Sequence, residues 1–306
     1  MSPFRGTRTL RRLVRRPPAS SRLPLHNGDR VAVIGGGPAG SFFSIFLGRL
    51  ARATGLDLNV DVYEPRHFKH PGPGGCNHCG GVVSESLVQM LAAEGIVIPP
   101  AVIETAIDSY VIHMDVGSVQ LKYMADEERI AALYRGNGPR GRVAASGRSL
   151  DEHLLDLATG HGARHVKHLV CRLGSVDGLP AVITADGERS EGYHLIAVAA
   201  GVNSNLVPLL RRRPEPGTTR TYICEFRPET EDLRKELGRS MHVFLLDLPR
   251  LEFAALIPKG ETITLCILGH GIDDQLIHSF LASPVVQRCL PPGTATPVCN
   301  CSPLIN

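Results

Sequence analysis

The sequence predicts an α/β chain in which a parallel, Rossmann-like half is interleaved with an antiparallel-sheet (α+β) half. Two patterns carry this. Residues 29–68 read strand, glycine cluster, helix, strand, and residues 148–205 return to a helix followed by strands. Residues 105–125 and 220–270 instead hold short strand-like segments on short loops, as in an antiparallel sheet. Parallel material on both sides of antiparallel material is explained better by two domains threaded through each other than by two in series.

Composition sets the frame. The chain has 306 residues, 43% hydrophobic and 21% charged, ordinary globular usage for about two domains. No apolar run approaches the roughly 20 residues of a membrane span. The net charge of +3 is concentrated at the start. Residues 1–28 hold Arg5, Arg8, Arg11, Arg12, Arg15, Arg16 and Arg22 and no acid. The remainder is slightly acidic, which argues against a nucleic-acid surface. Residues 1–28 lack a signal peptide's apolar run and read as a disordered basic tail, with a mitochondrial transit peptide as the alternative. Eight cysteines in so long a chain do not form a disulfide scaffold and suit a reducing, cytoplasmic setting. Cys171, Cys224 and Cys266 sit in apolar stretches and read as small core residues.

Structure is expected to begin at Asp29. Residues 30–34 read as a buried strand, 41–53 as a helix, and 58–64 as an alternating strand. A Pro/Gly loop covers 69–81, and 84–94 reads as a helix opened by a serine cap. A hairpin is expected over 109–123 around Val116-Gly117, then a glycine-rich loop over 135–147. Ser149 and Glu152 form a capping box for a helix over 149–159. Strands follow at 166–173, 180–185, 193–199, 221–227, 241–247, 252–257 and 261–268, then a helix at 273–282. The remainder, a Pro/Cys stretch, shows no further element.

Gly35-Gly36-Gly37-Pro38-Ala39-Gly40 satisfies G-x-G-x-x-G after a strand and before a helix. Gly35 allows the tight turn, Gly37 a close approach to a pyrophosphate, and Gly40 close helix–strand packing. Pro38 and Ala39 complete the turn, and the helix N-terminus favours phosphate. Glu64 closes the second strand, placed to accept from a ribose 2′-hydroxyl, and argues against NADP there. This unit alone leaves FAD or NAD open.

Three further stretches resemble FAD-dependent oxidoreductases of the p-hydroxybenzoate hydroxylase fold, most closely the geranylgeranyl-reductase-like branch. They are Ser146-Gly147-Arg148-Ser149-Leu150-Asp151, the strand and turn Leu195–Ser204 with Gly201, and Ile257-Pro258-Lys259-Gly260. The resemblance covers about residues 29–290. It implies FAD as cofactor, NAD(P)H as a transient reductant, and contact of Arg148 and Gly201 with the flavin nucleotide. It also implies that Cys79-Gly80-Gly81 lies against the flavin's reactive face. Two positions depart from the pattern: Ala200 stands at the motif aspartate and Ile257 at the usual aromatic. A Gly-Asp motif expected downstream is absent from residues 270–306, so the sequence reads as truncated at its C-terminus.

The resemblance implies an FAD-binding domain over 29–104 and 126–205, a substrate domain over 105–125 and 206–272, and an incomplete return segment over 273–306. The expected function is reduction of an apolar, isoprenoid-like substrate by hydride from flavin N5. A monooxygenase of the same fold is the alternative. A non-catalytic truncated flavoprotein is the reading from another class. Cys76, Cys79, Cys299 and Cys301 leave three roles open: Cys79 as active-site thiol and proton donor, a four-cysteine zinc or iron–sulfur cluster in an electron carrier, or plain loop thiols. His70 and His78 flank that loop and read as solvated residues. Expected partners are a small apolar substrate and an electron donor. Arg211-Arg212-Arg213 reads as a solvated loop, with peripheral membrane contact as the alternative.

Overall fold

The computed structural model describes residues 24–72, 74–76, 79–122, 130–140, 148–206, 217–229 and 235–305. Most of the basic tail, His78, Gly147 and Arg211–Arg213 lie outside the described residues.

Four parallel strands form the first sheet, in the order β11-β1-β2-β8. They are β1 (Arg30–Ile34), β2 (Asn59–Tyr63), β8 (Ala163–Val166) and β11 (Leu195–Val198). β1 is buried on both faces, as a central parallel strand requires. Val31 and Val33 face helices α1 (Pro38–Thr54) and α3 (Leu150–Gly160), through Ile45, Leu154 and Ala158. Ala32 and Ile34 face the other way, with Val170, Val182 and Tyr193. That second cover comes from the hairpin β9 (Val170–Val176) and β10 (Leu179–Thr184). The single strand expected over 166–173 is therefore two, β8 ending in the parallel sheet and β9 beginning the hairpin. Cys171 is exposed on β9, contrary to its core reading, whereas Cys224 is buried and Cys266 half-buried.

The second sheet has eight strands, with the path β16-β12-β15-β14-β13-β5-β6 and β17 beside β12. β5 (Ser109–Met114) and β6 (Gly117–Lys122) are the hairpin expected around Val116-Gly117. β12 (Thr219–Pro228), β13 (Ser240–Leu245), β14 (Leu251–Lys259) and β15 (Thr262–Gly269) match the four expected strands. The β5–β13 pair is parallel, not antiparallel, because a long excursion rather than a hairpin joins them. α4 (Asp274–Leu281) and α5 (Pro284–Cys289) cover one face through Phe244, Leu256, Phe280 and Val286. Ala255 and Ile257 on the other face pack on Ile107, Ile130 and Ala132.

Those last residues belong to a small third sheet, β3 (Val82–Ser84), β7 (Ile130–Leu133) and β4 (Ile103–Ile107). Its strands are too short for sequence periodicity to reveal. β16 (Ala295–Cys301) and β17 (Leu304–Ile305) are likewise strands where no element was expected. Pro297 hides β16: proline suits an edge strand or a bulge, and it lies on the edge where the β12–β16 register shifts. α2 (Glu85–Ala93) is capped by Ser84, whose hydroxyl accepts from Leu87 N. Among the described residues no helix is long and apolar enough to cross a membrane.

Candidate functional site

The glycine turn is shaped by contacts, not only by pattern. Gly35 has φ +108°, and a methyl on it would overlap the Ala199 carbonyl on β11's loop. A methyl on Gly40 would overlap the Gly35 carbonyl oxygen, and Val33 lies 3.1 Å away. Gly37 is different. It is the N-cap of α1 at φ −70°, has no capping side chain, and precedes Pro38 at the first helical position. Its added Cβ would meet only the Arg135 guanidinium, at 3.4 Å. The first turn of α1 carries no acidic residue, so its positive end is not answered locally.

Glu64 is buried where β2 ends. Its Oε2 accepts from Gly36 N at 2.9 Å and its Oε1 from Arg66 N at 2.9 Å. Each oxygen keeps a second lone pair. A groove of about 900 Å³ runs past Gly35, Gly37, Pro38, Ala39 and Glu64 to Ala200 and Gly201. Gly40 lies under this groove, packed on Gly35.

Arg148 does not face the groove. Its guanidinium lies along α3, paired with Asp156 and 4.0 Å from Glu152. Acids one and two turns along the same helix hold it there. Arg66 and Arg135 do line the groove, and Arg135 lies in the stretch read only as glycine-rich loop. It donates to Asp151 at 3.2 and 3.3 Å. Burial pushes the Asp151 carboxyl up to about 6, although Arg135 beside it lowers it. No local pattern marks this pair, because loop and helix meet only in the fold.

A second cavity of about 370 Å³ adjoins the first, sharing Arg135 and Cys301 with it. Cys76, Cys79, Cys299 and Cys301 all line it. The two cysteine pairs are thus brought to one place, as β16 carries the second pair to the first. Among the described residues, however, the groups gathered at ligand distance are His113-His242-Cys289 and His168-Asp186-Glu188, and neither contains these four. Burial raises Cys299 to about 11 and Cys301 to about 12. Burial also raises Cys79, against the lowering effect of Lys259 and Arg135. The geometry gives the four-cysteine cluster no support.

Beneath the Cys79-Gly80-Gly81 turn lies an ion pair absent from the sequence reading. Gly81 (φ +64°) leaves no room for a side chain, since its added Cβ would overlap the Leu133 carbonyl oxygen, with Lys259 Nζ 2.9 Å away. Gly80 faces Ile257, 3.7 Å from its added Cβ. Lys259 is 1% exposed, with Nζ 3.9 Å from Glu225 Oε1 and 4.6 Å from the Tyr134 ring centre. Glu225 accepts from Thr264 Oγ1 at 2.9 Å. Burial raises the Glu225 carboxyl, while Lys259 and the threonine hydroxyls lower it.

Such a pair is held by mutual need more than by net gain. Lys259→Met should cost about 3 kcal/mol by stranding a buried carboxylate, and Lys259→Met with Glu225→Gln should recover most of that loss. Denaturant unfolding of both variants checks this, and strictly additive losses would refute the coupling.

No protein-family model matches the chain, and no curated protein matches it. Solved structures do. A geranylgeranyl bacteriochlorophyll reductase-like protein from Thermoplasma acidophilum matches with TM-score 0.67 at 16% identity, over 92% of this chain and 67% of that one. A halogenase in complex with FAD matches with TM-score 0.60 at 14% identity, over 90% of this chain and 60% of that one. A 2-methyl-3-hydroxypyridine-5-carboxylic acid oxygenase matches with TM-score 0.55 at 17% identity, over 91% and 72%. The chain spans about two thirds of the length of these proteins. The likeness is one of fold: a parallel sheet with a glycine turn beside an antiparallel sheet, the architecture of the p-hydroxybenzoate hydroxylase type that these proteins share, is also this chain's.

Proposed function

We propose that the chain binds FAD in extended form along the glycine groove and reduces an apolar, isoprenoid-like substrate in the adjoining cavity. The observation that carries this is the adjacency of the two spaces. A groove with a helix N-terminus and a buried carboxylate shares Arg135 and Cys301 with a smaller cavity lined by Tyr134, Ile223, Val298 and thiols. The α1 N-terminus receives the pyrophosphate, and Glu64's remaining lone pairs accept from ribose hydroxyls. Gly201 and Ala200 border the same groove. Ala200 contributes no carboxylate there, which weakens the hold on the nucleotide.

Bound there, FAD supplies a hydride from its ring N5. The protein's part is orientation and the proton. Cys79 holds a proton on Sγ at neutral pH, and Gly80 and Gly81 let the backbone approach a planar ring. Lys259 places positive charge under that turn, and β12 and β16 wall the cavity against water. NAD(P)H is the proposed electron donor. For Arg211–Arg213 the proposed reading is a solvated loop, with peripheral membrane contact as the alternative, since an isoprenoid substrate is lipidic. The proposed compartment is the cytoplasm.

The test is the visible spectrum of the purified full chain with added FAD, before and after dithionite. Retained flavin absorption that bleaches is the expected result. A chain that neither retains FAD nor quenches its fluorescence is not a working flavoenzyme, and the non-catalytic reading then stands. Similarity to an oxygenase supports a second reading, the monooxygenase. Oxygen separates the two: substrate reduction proceeds anaerobically, whereas hydroxylation needs dioxygen. Cys79→Ser should lower turnover about a hundredfold with flavin binding intact if Cys79 donates the proton. Unchanged turnover would remove it from the reaction.

A further inference from the structure

His113, His242 and Cys289 meet on the sheet face turned away from the cavity. They come from three elements: His113 from β5, His242 from β13 and Cys289 from the end of α5. The register explains the meeting. His113 lies opposite Phe244 on the parallel pair, and His242 lies two residues before Phe244, on the same face. α5 covers that face and brings the sulfur down.

His113 and His242 are 6% and 8% exposed, and Cys289 is half-buried. His113 Nε2 and His242 Nδ1 are 3.0 Å apart, and Cys289 Sγ is 3.5 Å from the first and 3.7 Å from the second. Zinc bonds of about 2.05 Å to nitrogen and 2.3 Å to sulfur put tetrahedral neighbours about 3.4 Å (N–N) and 3.6 Å (N–S) apart. The observed triangle is within about 0.4 Å of such a face.

The outer nitrogens are held as well. His242 Nε2 donates to the Leu237 carbonyl at 3.4 Å, which leaves Nδ1 as the lone-pair nitrogen. His113 Nδ1 lies 2.7 Å from Ser118 Oγ, which serves as donor or acceptor. Phe244 stacks on His113 with ring centres 4.6 Å apart, fixing the ring's plane.

We propose that His113, His242 and Cys289 bind a divalent cation of the zinc class, with water in the fourth position. Proton bookkeeping closes. The His113 proton moves from Nε2 to Nδ1, where Ser118 Oγ accepts it, and the Cys289 thiol releases its proton to solvent. Three protein ligands leave one position open. The cation would staple β5, β13 and α5 together, and it plays no part in the flavin reading above.

The test is loading the full chain with cobalt(II) or zinc under reducing conditions, dialysis, and X-ray absorption of the retained metal. The expected result is one metal per chain in a shell of two imidazole nitrogens, one sulfur and one oxygen. Cys289→Ala should abolish the thiolate-to-cobalt charge-transfer band, and Ser118→Ala should weaken binding roughly tenfold. No metal retained after dialysis, or a sulfur-dominated shell reporting the four cavity cysteines instead, would overturn the proposal.

Discussion

Gly40→Ala is expected to stop the chain from folding at all, a loss of more than about 4 kcal/mol. The added methyl would overlap the Gly35 carbonyl, and neither side can yield. Gly40 sits in the first turn of α1, while Gly35 leaves β1 at φ +108° with Ala199 against it. Relief would require α1 to lift off the sheet and expose Ile45, which packs with Val31 and Val33. Gly37→Ala is the control. Its methyl meets only a guanidinium end at 3.4 Å, so stability should change by no more than about 0.5 kcal/mol. FAD affinity should nevertheless fall at least tenfold, since that methyl points where a pyrophosphate must approach. Circular dichroism with FAD fluorescence titration reads both. A Gly37→Ala chain that binds FAD normally would separate the turn from the nucleotide.

Arg135→Ala is expected to cost about 3 kcal/mol at pH 8, and the cost should shrink as pH falls. The figure is at the low end for breaking a buried pair because Arg135 is 36% exposed, whereas Asp151 is 0% exposed. The sign follows from Asp151. Its folded carboxyl titrates at about 6, above the ordinary aspartate value of about 3.9. The folded state therefore holds the proton more tightly, and stability declines as pH rises from about 4 through 6. Removing Arg135 removes the main influence lowering that carboxyl, so its ionisation opposes folding more strongly and over a wider range. Urea midpoints at pH 5 and pH 8 measure this. Equal losses at both would mean that Arg135 contributes packing rather than charge.

Much of the fold was legible because its signals are local. The βαβ unit announces itself through Val31–Ile34, the glycine turn and the alternation of Asn59–Tyr63, and α3 through Ser149, whose hydroxyl accepts from Glu152 N. A motif names a residue and not its rotamer: acids on its own helix hold the Arg148 side chain along α3. β16 was missed because Pro297 argues against a strand unless the strand is known to be an edge.

The sequence by itself determined the parallel unit, the glycine cradle with its acid, and the strand segments that become β12 to β15. Each depends on residues within one turn or one pleat of each other, where periodicity and backbone sterics act. Only the tertiary structure decided which charges and thiols share a space. It paired Arg135 with Asp151 and Lys259 with Glu225, set Cys76 and Cys79 across from Cys299 and Cys301, and joined His113, His242 and Cys289. Those meetings join residues 16 apart, for Arg135 and Asp151, and 176 apart, for His113 and Cys289. They are set by which sheet edge is free to accept a strand and which face a helix covers.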